Sequence, residues 1–113
     1  MESFKIKFLI LLSVLLIITG CNKNNDINSI IEDKNTIIID VRTEEEYNER
    51  HIDRAINIPV DNIQNIKIKK NKTIVVYCRS GVRSKKAYDM LLSMGYTDVH
   101  DLGSIDNYKK END

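Results

Sequence analysis

The sequence predicts an α/β domain with a mainly parallel sheet of about four to five short strands and helices on both faces. Two apolar runs, at residues 36–41 and 73–77, are rich in β-branched side chains and too short for helices, which indicates strands buried on both faces. Each run is followed by a segment with the features of a helix. Such alternation of strand and helix is typical of a parallel sheet.

The helix after the first strand has a well-defined start signal. Thr43 is suited to the N-cap position, and Glu46, three residues later, is suited to be its capping-box partner. Glu44 and Glu45 lie in the first turn, where carboxylates stabilise the positive end of the helix dipole. The sequence therefore predicts a helix that begins directly after Thr43.

Shorter patterns define the elements on either side of this helix. Residues 26–34 fit a short helix better than an opening strand. Residues 55–59 have the composition of a second strand, which ends at Pro59, the single proline of the chain. Residues 61–66 fit one or two helical turns.

The C-terminal elements are predicted in the same way. Apolar positions at mostly helical spacing in residues 82–94 indicate a helix, and Gly95 is placed to end it. Residues 98–102 form a last short strand. Gly103 is expected to open a terminal turn or helix.

Cys78 stands where the second apolar run meets the helix at residues 82–94. The backbone amides of a tight loop and the N-terminus of a helix give this point a partial positive charge, and Arg79 and Arg83 add two full charges. These charges favour the thiolate over the thiol. We therefore expect Cys78 to be a nucleophile and the loop to hold an anionic substrate or a negatively charged sulfur adduct.

Two families of cysteine enzymes use such a loop, and they differ in its length. Protein tyrosine phosphatases and their arsenate-reducing relatives have one residue more between the cysteine and the arginine, which makes room for a tetrahedral phosphate. Four residues separate Cys78 from Arg83. The shorter loop resembles that of the rhodanese sulfurtransferases and favours sulfur over phosphate.

The resemblance to the rhodanese domain extends over nearly the whole predicted domain. Residues 40–42 are similar to the Asp-Val-Arg at the end of the family's central strand, and residues 45–47 to the Glu-Glu-Tyr of its next helix. Residues 51–59 resemble its His-Ile-x-Gly-Ala-x-Asn-Ile-Pro, and residues 95–103 its closing strand. Several motifs in the family's order are far more specific than any one of them.

The chain departs from the family pattern at four positions. Arg50 and Arg54 replace glycines that flank the His-Ile motif, so the backbone there must avoid positive φ or adopt it at a cost. Ser104 stands where a second glycine is common, and Tyr108 where a tryptophan is common. None of these positions belongs to the cysteine loop, so they affect surface shape and partner choice rather than chemistry.

The resemblance implies a sulfurtransferase that needs no metal or organic cofactor. Cys78 would take the outer sulfur of thiosulfate or a similar donor as a persulfide and pass it to a thiol or to cyanide. The residues that would bind the donor and shape the loop are Arg79, Ser80, Gly81, Val82, Arg83 and Ser84. A catalytically weak module that carries persulfide, or nothing, to a membrane-associated partner is the alternative.

Four further polar residues are not expected to take part in catalysis. Asp40 and Arg42 are predicted to form an ion-paired support beside the loop. His51 could suggest a Cys–His dyad, but in the family the equivalent histidine holds the turn that precedes the second strand. His100 has no evident partner and is expected at the surface.

The N-terminus has the layout of a bacterial lipoprotein signal peptide. Lys5 and Lys7 precede an apolar stretch at residues 8–18, whose eleven residues fall short of the roughly 20 that span a bilayer. Residues 18–21 resemble a lipobox, in which the chain is cut before a cysteine that carries diacylglycerol. An ordinary secretory signal, which would leave Cys21 as a free thiol, is the alternative.

These signals divide the chain into a signal peptide (1–20), the lipidated Cys21 with a polar tether (21–26) and one domain (27–113). Cleavage leaves 15 basic and 16 acidic residues, a net charge of −1 that gives no support to nucleic-acid binding. With Cys21 lipidated, Cys78 has no cysteine for a disulfide and no resolving thiol. We expect a lipid-anchored domain outside the cytoplasm, on the periplasmic or extracellular face of a membrane.

Overall fold

The structure is a computed structural model, and it describes residues 23–110. The predicted signal peptide and Cys21 lie outside the described residues. The elements in chain order are α1 (Lys23–Glu32), β1 (Ile37–Asp40), α2 (Glu44–Glu49), β2 (Ile56–Asn57), a first 3₁₀ helix (Val60–Asn65), β3 (Ile74–Cys78), α3 (Val82–Ser93), β4 (Val99–Ser104) and a second 3₁₀ helix (Ile105–Asn107).

The four described strands form one sheet in the order β2-β1-β3-β4, and every neighbouring pair is parallel. β3 has a strand on each side, and all five of its residues are buried. The predicted α/β fold with a parallel sheet is thereby confirmed. Because parallel strands end at the same edge of a sheet, Cys78, the last residue of β3, lies at the edge where such folds place their sites.

Helices cover both faces of the sheet. The side chains of β3 point alternately to the two faces and are buried in a separate cluster on each. One cluster joins Ile74, Val76 and Cys78 to apolar side chains of α3 and the first 3₁₀ helix. The other joins Val75 and Tyr77 to apolar side chains of α1 and the second 3₁₀ helix. The catalytic candidate therefore faces the side of the sheet that α3 covers.

The predicted helix boundaries agree with the structure at α2 and α3. The backbone amide of Glu46 donates to Thr43 Oγ1 over 3.2 Å and the amide of Thr43 donates to Glu46 Oε1 over 3.3 Å, so the capping box is confirmed. α3 ends at Ser93, and Gly95 follows with a φ of +100°. The reason is that short polar caps and glycine act locally and need no tertiary context.

α1 begins earlier than the predicted helix at residues 26–34. Residues 23–26, predicted as part of a polar tether, belong to this helix. The three isoleucines Ile27, Ile30 and Ile31 lie on one helical face and contact the second cluster, which stabilises the helix as a whole. No helix among residues 23–110 is long and apolar enough to cross a membrane.

Of the two arginines that replace family glycines, one takes the conformation expected of glycine. Arg54 has a φ of +68°, whereas Arg50 is extended with a φ of −165°. A left-handed residue that is not glycine costs about 1–2 kcal/mol. The Arg54 guanidinium donates to the carbonyl oxygens of Ile31 and Asp33, contacts that glycine could not make.

β4 runs on to Ser104, beyond the predicted strand end at residue 102. A β-bulge shifts its pairing with β3 by one residue, and the pairing then resumes. Val76 pairs with Asp101 and Tyr77 with Gly103, so one residue of β4 has no counterpart. The amide of Gly103 donates to Asp101 Oδ1 over 2.9 Å and closes the bulge. After the bulge, Ser104 lies opposite Cys78.

Candidate active site

A single glycine allows the chain to turn from β3 into α3. Gly81 is the N-cap of α3 and has a φ of +100°, a conformation that glycine adopts without strain. A Cβ at this position would come within 3.8 Å of the Gly103 Cα, an ordinary contact. The requirement for glycine therefore comes from the backbone conformation and not from lack of space.

The Cys78 side chain is fully buried beneath this loop and surrounded by donors. The amide of Gly81 donates to Cys78 Sγ over 2.9 Å. Burial raises the pKa of the Cys78 thiol, but the polar groups of Ser84, Gly81 and Ser80 that surround the sulfur outweigh it, so the pKa lies below its usual value. The loop stabilises a negative charge on the sulfur with hydrogen-bond donors.

Arg83 is held by a carboxylate, an arrangement that the local sequence does not predict. Its Nη1 and Nη2 atoms donate to the two carboxylate oxygens of Glu46 over 2.7 and 3.0 Å. Both side chains are partly buried, with exposed fractions of 33% for Arg83 and 23% for Glu46. The sequence predicts only a capping role for Glu46, because the two residues are 37 positions apart.

The Arg83–Glu46 pair makes the stability of the domain depend on pH in the acid range. Hydrogen bonding to Arg83, followed by that to Thr43, lowers the pKa of Glu46 to about 2, below the usual value of about 4.3. A carboxyl group with a lowered folded-state pKa stabilises the fold above its unfolded pKa, and this contribution is lost as the pH falls through the folded pKa. At pH 7 we expect Glu46→Gln to lower the free energy of unfolding by about 1–3 kcal/mol after allowance for solvent screening.

This difference should shrink between about pH 4.5 and pH 2, because Glu46 takes up a proton in the unfolded state while it is still ionised in the folded state. Below about pH 2 Glu46 is neutral in both states, and the difference should approach zero. Urea unfolding of both proteins over this pH range measures it. Glu45→Gln, an exposed change in the first turn of the same helix, is the control and should change the free energy of unfolding by less than about 1 kcal/mol at any pH. A Glu46→Gln difference that stays constant with pH would contradict the lowered pKa.

The rest of the loop forms an exposed rim around the buried sulfur. Arg79, Ser80 and Val82 are exposed, and Val82 has an exposed fraction of 75%. Within residues 23–110 the Arg79 side chain makes no hydrogen bond or ion pair. Arg79 is therefore the loop cation that an anionic molecule could bind without displacing a carboxylate.

A buried polar network lies behind the loop. Arg42 donates through Nε and Nη2 to the Asp40 carboxylate, with a shortest distance of 2.7 Å, and Tyr77 Oη donates to Asp40 Oδ2 over 2.8 Å. The amide of Ile52 in turn donates to Tyr77 Oη over 3.1 Å. Asp40 is fully buried, so every oxygen of this network depends on its protein partners.

The two histidines lie outside the loop. His51 is exposed, its ring stacks on Tyr47 at 3.8 Å, and its Nδ1 lies 2.7 Å from the Tyr47 carbonyl oxygen, contacts that fit a turn-holding role. The expectation that His100 has no partner is wrong, because its Nε2 lies 2.7 Å from Asp98 Oδ1. The sequence could have predicted this contact, because Asp98 and His100 are two positions apart and alternate residues of an extended chain share a face.

Together these groups provide a nucleophilic sulfur, amide donors for a negative charge and a cation at the rim. They suit attack on an electrophilic atom of an anionic molecule, followed by a covalent adduct on Cys78. Among residues 23–110, no group of three or more His, Cys, Asp or Glu side chains is placed to hold a metal ion.

Comparisons with protein families and curated proteins identify relatives of this chain. The profile of the Rhodanese-like domain matches residues 23–111. The thiosulfate sulfurtransferase PspE of Escherichia coli is 41% identical over 71 residues, which cover 59% of this chain and 68% of that protein. The tRNA uridine(34) hydroxylase of Buchnera aphidicola is 33% identical over 95 residues, which cover 76% of this chain. The chain spans only 30% of that hydroxylase.

A solved structure supports the same relationship. A rhodanese with anions from E. coli aligns with a TM-score of 0.60 and 37% sequence identity, over 64% of this chain and 89% of that one. The shared fold agrees with the four-stranded parallel sheet and the helices around it.

Proposed function

The chain belongs to the family of rhodanese-like domains, and from that membership we propose that it is a sulfurtransferase. It moves sulfane sulfur from thiosulfate or a similar anionic donor to a thiol or cyanide, through a persulfide on Cys78. The observation that carries the proposal is the placement of the Cys78 sulfur at the N-terminus of α3, beneath amide donors that lower its pKa.

The proposed reaction has two steps that use the same sulfur. The Cys78 thiolate attacks the outer sulfur of thiosulfate, a sulfur–sulfur bond forms, and the bond to the sulfonate sulfur breaks as sulfite leaves with the electron pair. The negative charge then lies on the outer sulfur of the persulfide, one bond beyond Cys78 Sγ, where the loop amides would stabilise it. An acceptor thiolate or cyanide then attacks the outer sulfur, and the Cys78 thiolate is the leaving group.

The contacts of the two loop arginines suggest different roles in this reaction. Arg83 is held by Glu46, so it is a weaker candidate for direct donor binding than the sequence implies. Arg79 is exposed, and we propose that it binds the anionic end of the donor. Because Cys78 is fully buried, the donor reaches the sulfur only when the exposed part of the loop moves aside.

Mass spectrometry of the Cys78 peptide tests the proposal. After thiosulfate treatment of the detergent-solubilised chain, we expect the peptide to gain one sulfur atom and to lose it on addition of cyanide. Sulfite should be released in equal amount. A peptide that never gains sulfur, in a protein shown to be folded, would refute the proposed reaction.

The alternative of a persulfide carrier for a protein partner is favoured by one observation. Val82 is a large apolar residue with an exposed fraction of 75% directly on the loop, where a docking protein would contact it. A carrier would gain sulfur on Cys78 but release it slowly to small thiols. Turnover with dithiothreitol or cyanide as the acceptor therefore distinguishes an enzyme from a carrier.

We also propose that Cys21 carries a lipid that anchors the domain to a membrane outside the cytoplasm. The support is the sequence of residues 18–21 after a basic start and an apolar stretch of eleven residues. Replacing Cys21 with serine is expected to abolish membrane anchoring, because serine cannot form the thioether, and to leave the fold intact.

Cell fractionation followed by detergent phase partitioning measures this effect. Cys78→Ser serves as the matched control, since it removes the other cysteine and should partition like the parent protein. If Cys21→Ser still partitions with membranes, the apolar segment holds the protein there and the lipid is not the anchor.

A further inference from the structure

We propose that Glu46 is a positioning residue that acts through Arg83: its carboxylate holds the guanidinium to one side of the loop and limits the positive charge at the Cys78 sulfur. The inference deepens the proposed function, since it concerns the same sulfur, and it assigns to α2 a role in the reactivity of the loop.

The Glu46 carboxylate is restrained by its own helix cap, and Arg83 forms an ion pair with it. Its Oε1 atom accepts from the Thr43 amide over 3.3 Å and lies 3.1 Å from Thr43 Oγ1, so the capping box holds the carboxylate independently of the loop. Arg83 then uses both terminal nitrogens on this carboxylate. A bidentate pair of this kind fixes the orientation of the guanidinium as well as its distance from the carboxylate.

The pair lies close to the sulfur, because Arg83 is two residues after Gly81, whose amide donates to Cys78 Sγ over 2.9 Å. The pKa of Arg83 is raised by hydrogen bonding to Glu46 first of all, and the charge of Cys78 contributes further in the same direction. Removal of the Glu46 charge would therefore leave a free cation beside a thiolate. A guanidinium released from Glu46 would be attracted by a negative charge on the sulfur or on an anionic donor.

This restraint explains why a loop with two arginines would benefit from a carboxylate. Each added positive charge lowers the pKa of the thiol, but nucleophilicity falls as the pKa of a thiolate falls. Amide donors already favour the thiolate of Cys78. Holding Arg83 to the side keeps the sulfur ionised without making it a poor nucleophile.

Alkylation of Cys78 by two reagents of similar size measures the charge at the sulfur directly. Iodoacetate is an anion and iodoacetamide is neutral, and both need the same opening of the loop, so the ratio of their rate constants cancels the opening step. The full-length protein is used, and the Cys78 peptide is quantified by mass spectrometry so that Cys21 does not contribute. Folding of each variant is checked by circular dichroism.

In Glu46→Gln we expect the iodoacetate-to-iodoacetamide ratio to rise roughly threefold to tenfold, the effect of one unit charge at a partly exposed position. The pH profile of iodoacetamide alkylation should shift to a lower pKa. Glu45→Gln removes the same charge from the exposed side of α2 and should stay within about twofold of the parent protein.

A double variant separates positioning from a bare charge effect. In an Arg83→Gln background no guanidinium can be released, so the change Glu46→Gln should raise the ratio less than about twofold. An equal rise with and without Arg83 would overturn the proposal, as would an unchanged ratio in Glu46→Gln. If Glu46→Gln does not fold, Glu46→Asp replaces it, because its shorter carboxylate cannot reach both Thr43 and Arg83, and an unchanged ratio there would equally overturn the proposal.

The alkylation assay does not require sulfur transfer, so the two proposals fail separately. An increased ratio together with no persulfide on Cys78 would refute the sulfurtransferase and leave the role of Glu46 standing. If sulfur transfer occurs, Glu46→Gln should lower KM for thiosulfate, a dianion, and lower kcat, because binding improves while the thiolate becomes a weaker nucleophile.

Discussion

Replacing Cys78 with serine is expected to abolish sulfur transfer and to leave the fold intact. A serine hydroxyl is not ionised at neutral pH, and Cys78 is the only free cysteine among the described residues. Loss of a covalent nucleophile should reduce turnover by at least about 10³-fold. Serine is smaller than cysteine and can still accept the hydrogen bond of the Gly81 amide, so the buried site should pack without a clash.

The measurements are thiosulfate-to-cyanide turnover and thermal unfolding of both proteins. Ser84→Ala gives a graded comparison, because Ser84 is among the residues whose hydrogen bonding lowers the pKa of Cys78, and its hydroxyl lies 3.2 Å from the Gly81 carbonyl oxygen in the same loop. Its activity should fall about tenfold per unit of pKa increase at low pH and recover as the pH rises. Turnover of Cys78→Ser within tenfold of the parent would mean that another group is the nucleophile.

The largest effect on stability is expected from Asp40→Asn. The substitution keeps the shape of the side chain but leaves the Arg42 charge without a counter-charge at a site where the two side chains are 0% and 6% exposed. Breaking a buried ion pair by removal of one partner costs about 3–5 kcal/mol. Because small domains have about 5–15 kcal/mol of stability in total, much of the fold's stability would be lost.

Urea unfolding measures this cost, and Asp106→Asn is the matched control. Asp106 pairs with Arg50 at a distance of 3.0 Å, but the Asp106 and Arg50 side chains are 73% and 66% exposed. An exposed pair contributes only about 0–1 kcal/mol. Equal destabilisation by the two substitutions would show that the Asp40 network does not support the fold in the way its burial indicates.

Local chemistry explains which parts of the fold and site could be predicted from the sequence. The strand before Cys78, the glycine turn and the capping box of Thr43 depend on residues within a few positions of one another. The same holds for the parallel sheet, because strand and helix alternate along the chain. These features need no knowledge of which surfaces later pack together.

The features that escaped prediction depend on packing between distant segments. The partner of Arg83 is Glu46, and no local pattern relates two residues 37 positions apart. Residues 23–26 looked like a polar tether, but the isoleucines that stabilise α1 begin only at Ile27. The ion pair that holds Arg83 therefore becomes visible only once α2 is placed beside the loop.

The bulge in β4 determines which face of the sheet the side chains after it point to. Leu102 and Ile105 both belong to the second buried cluster although they are three positions apart, a spacing that would put them on opposite faces of a regular strand. The extra residue of the bulge shifts the alternation of side chains by one position, so Ile105 lies on the same side of the sheet as Leu102. Evolutionary insertions and deletions of one residue should therefore be excluded from residues 99–105, whereas the exposed turn at residues 69–72 can vary in length.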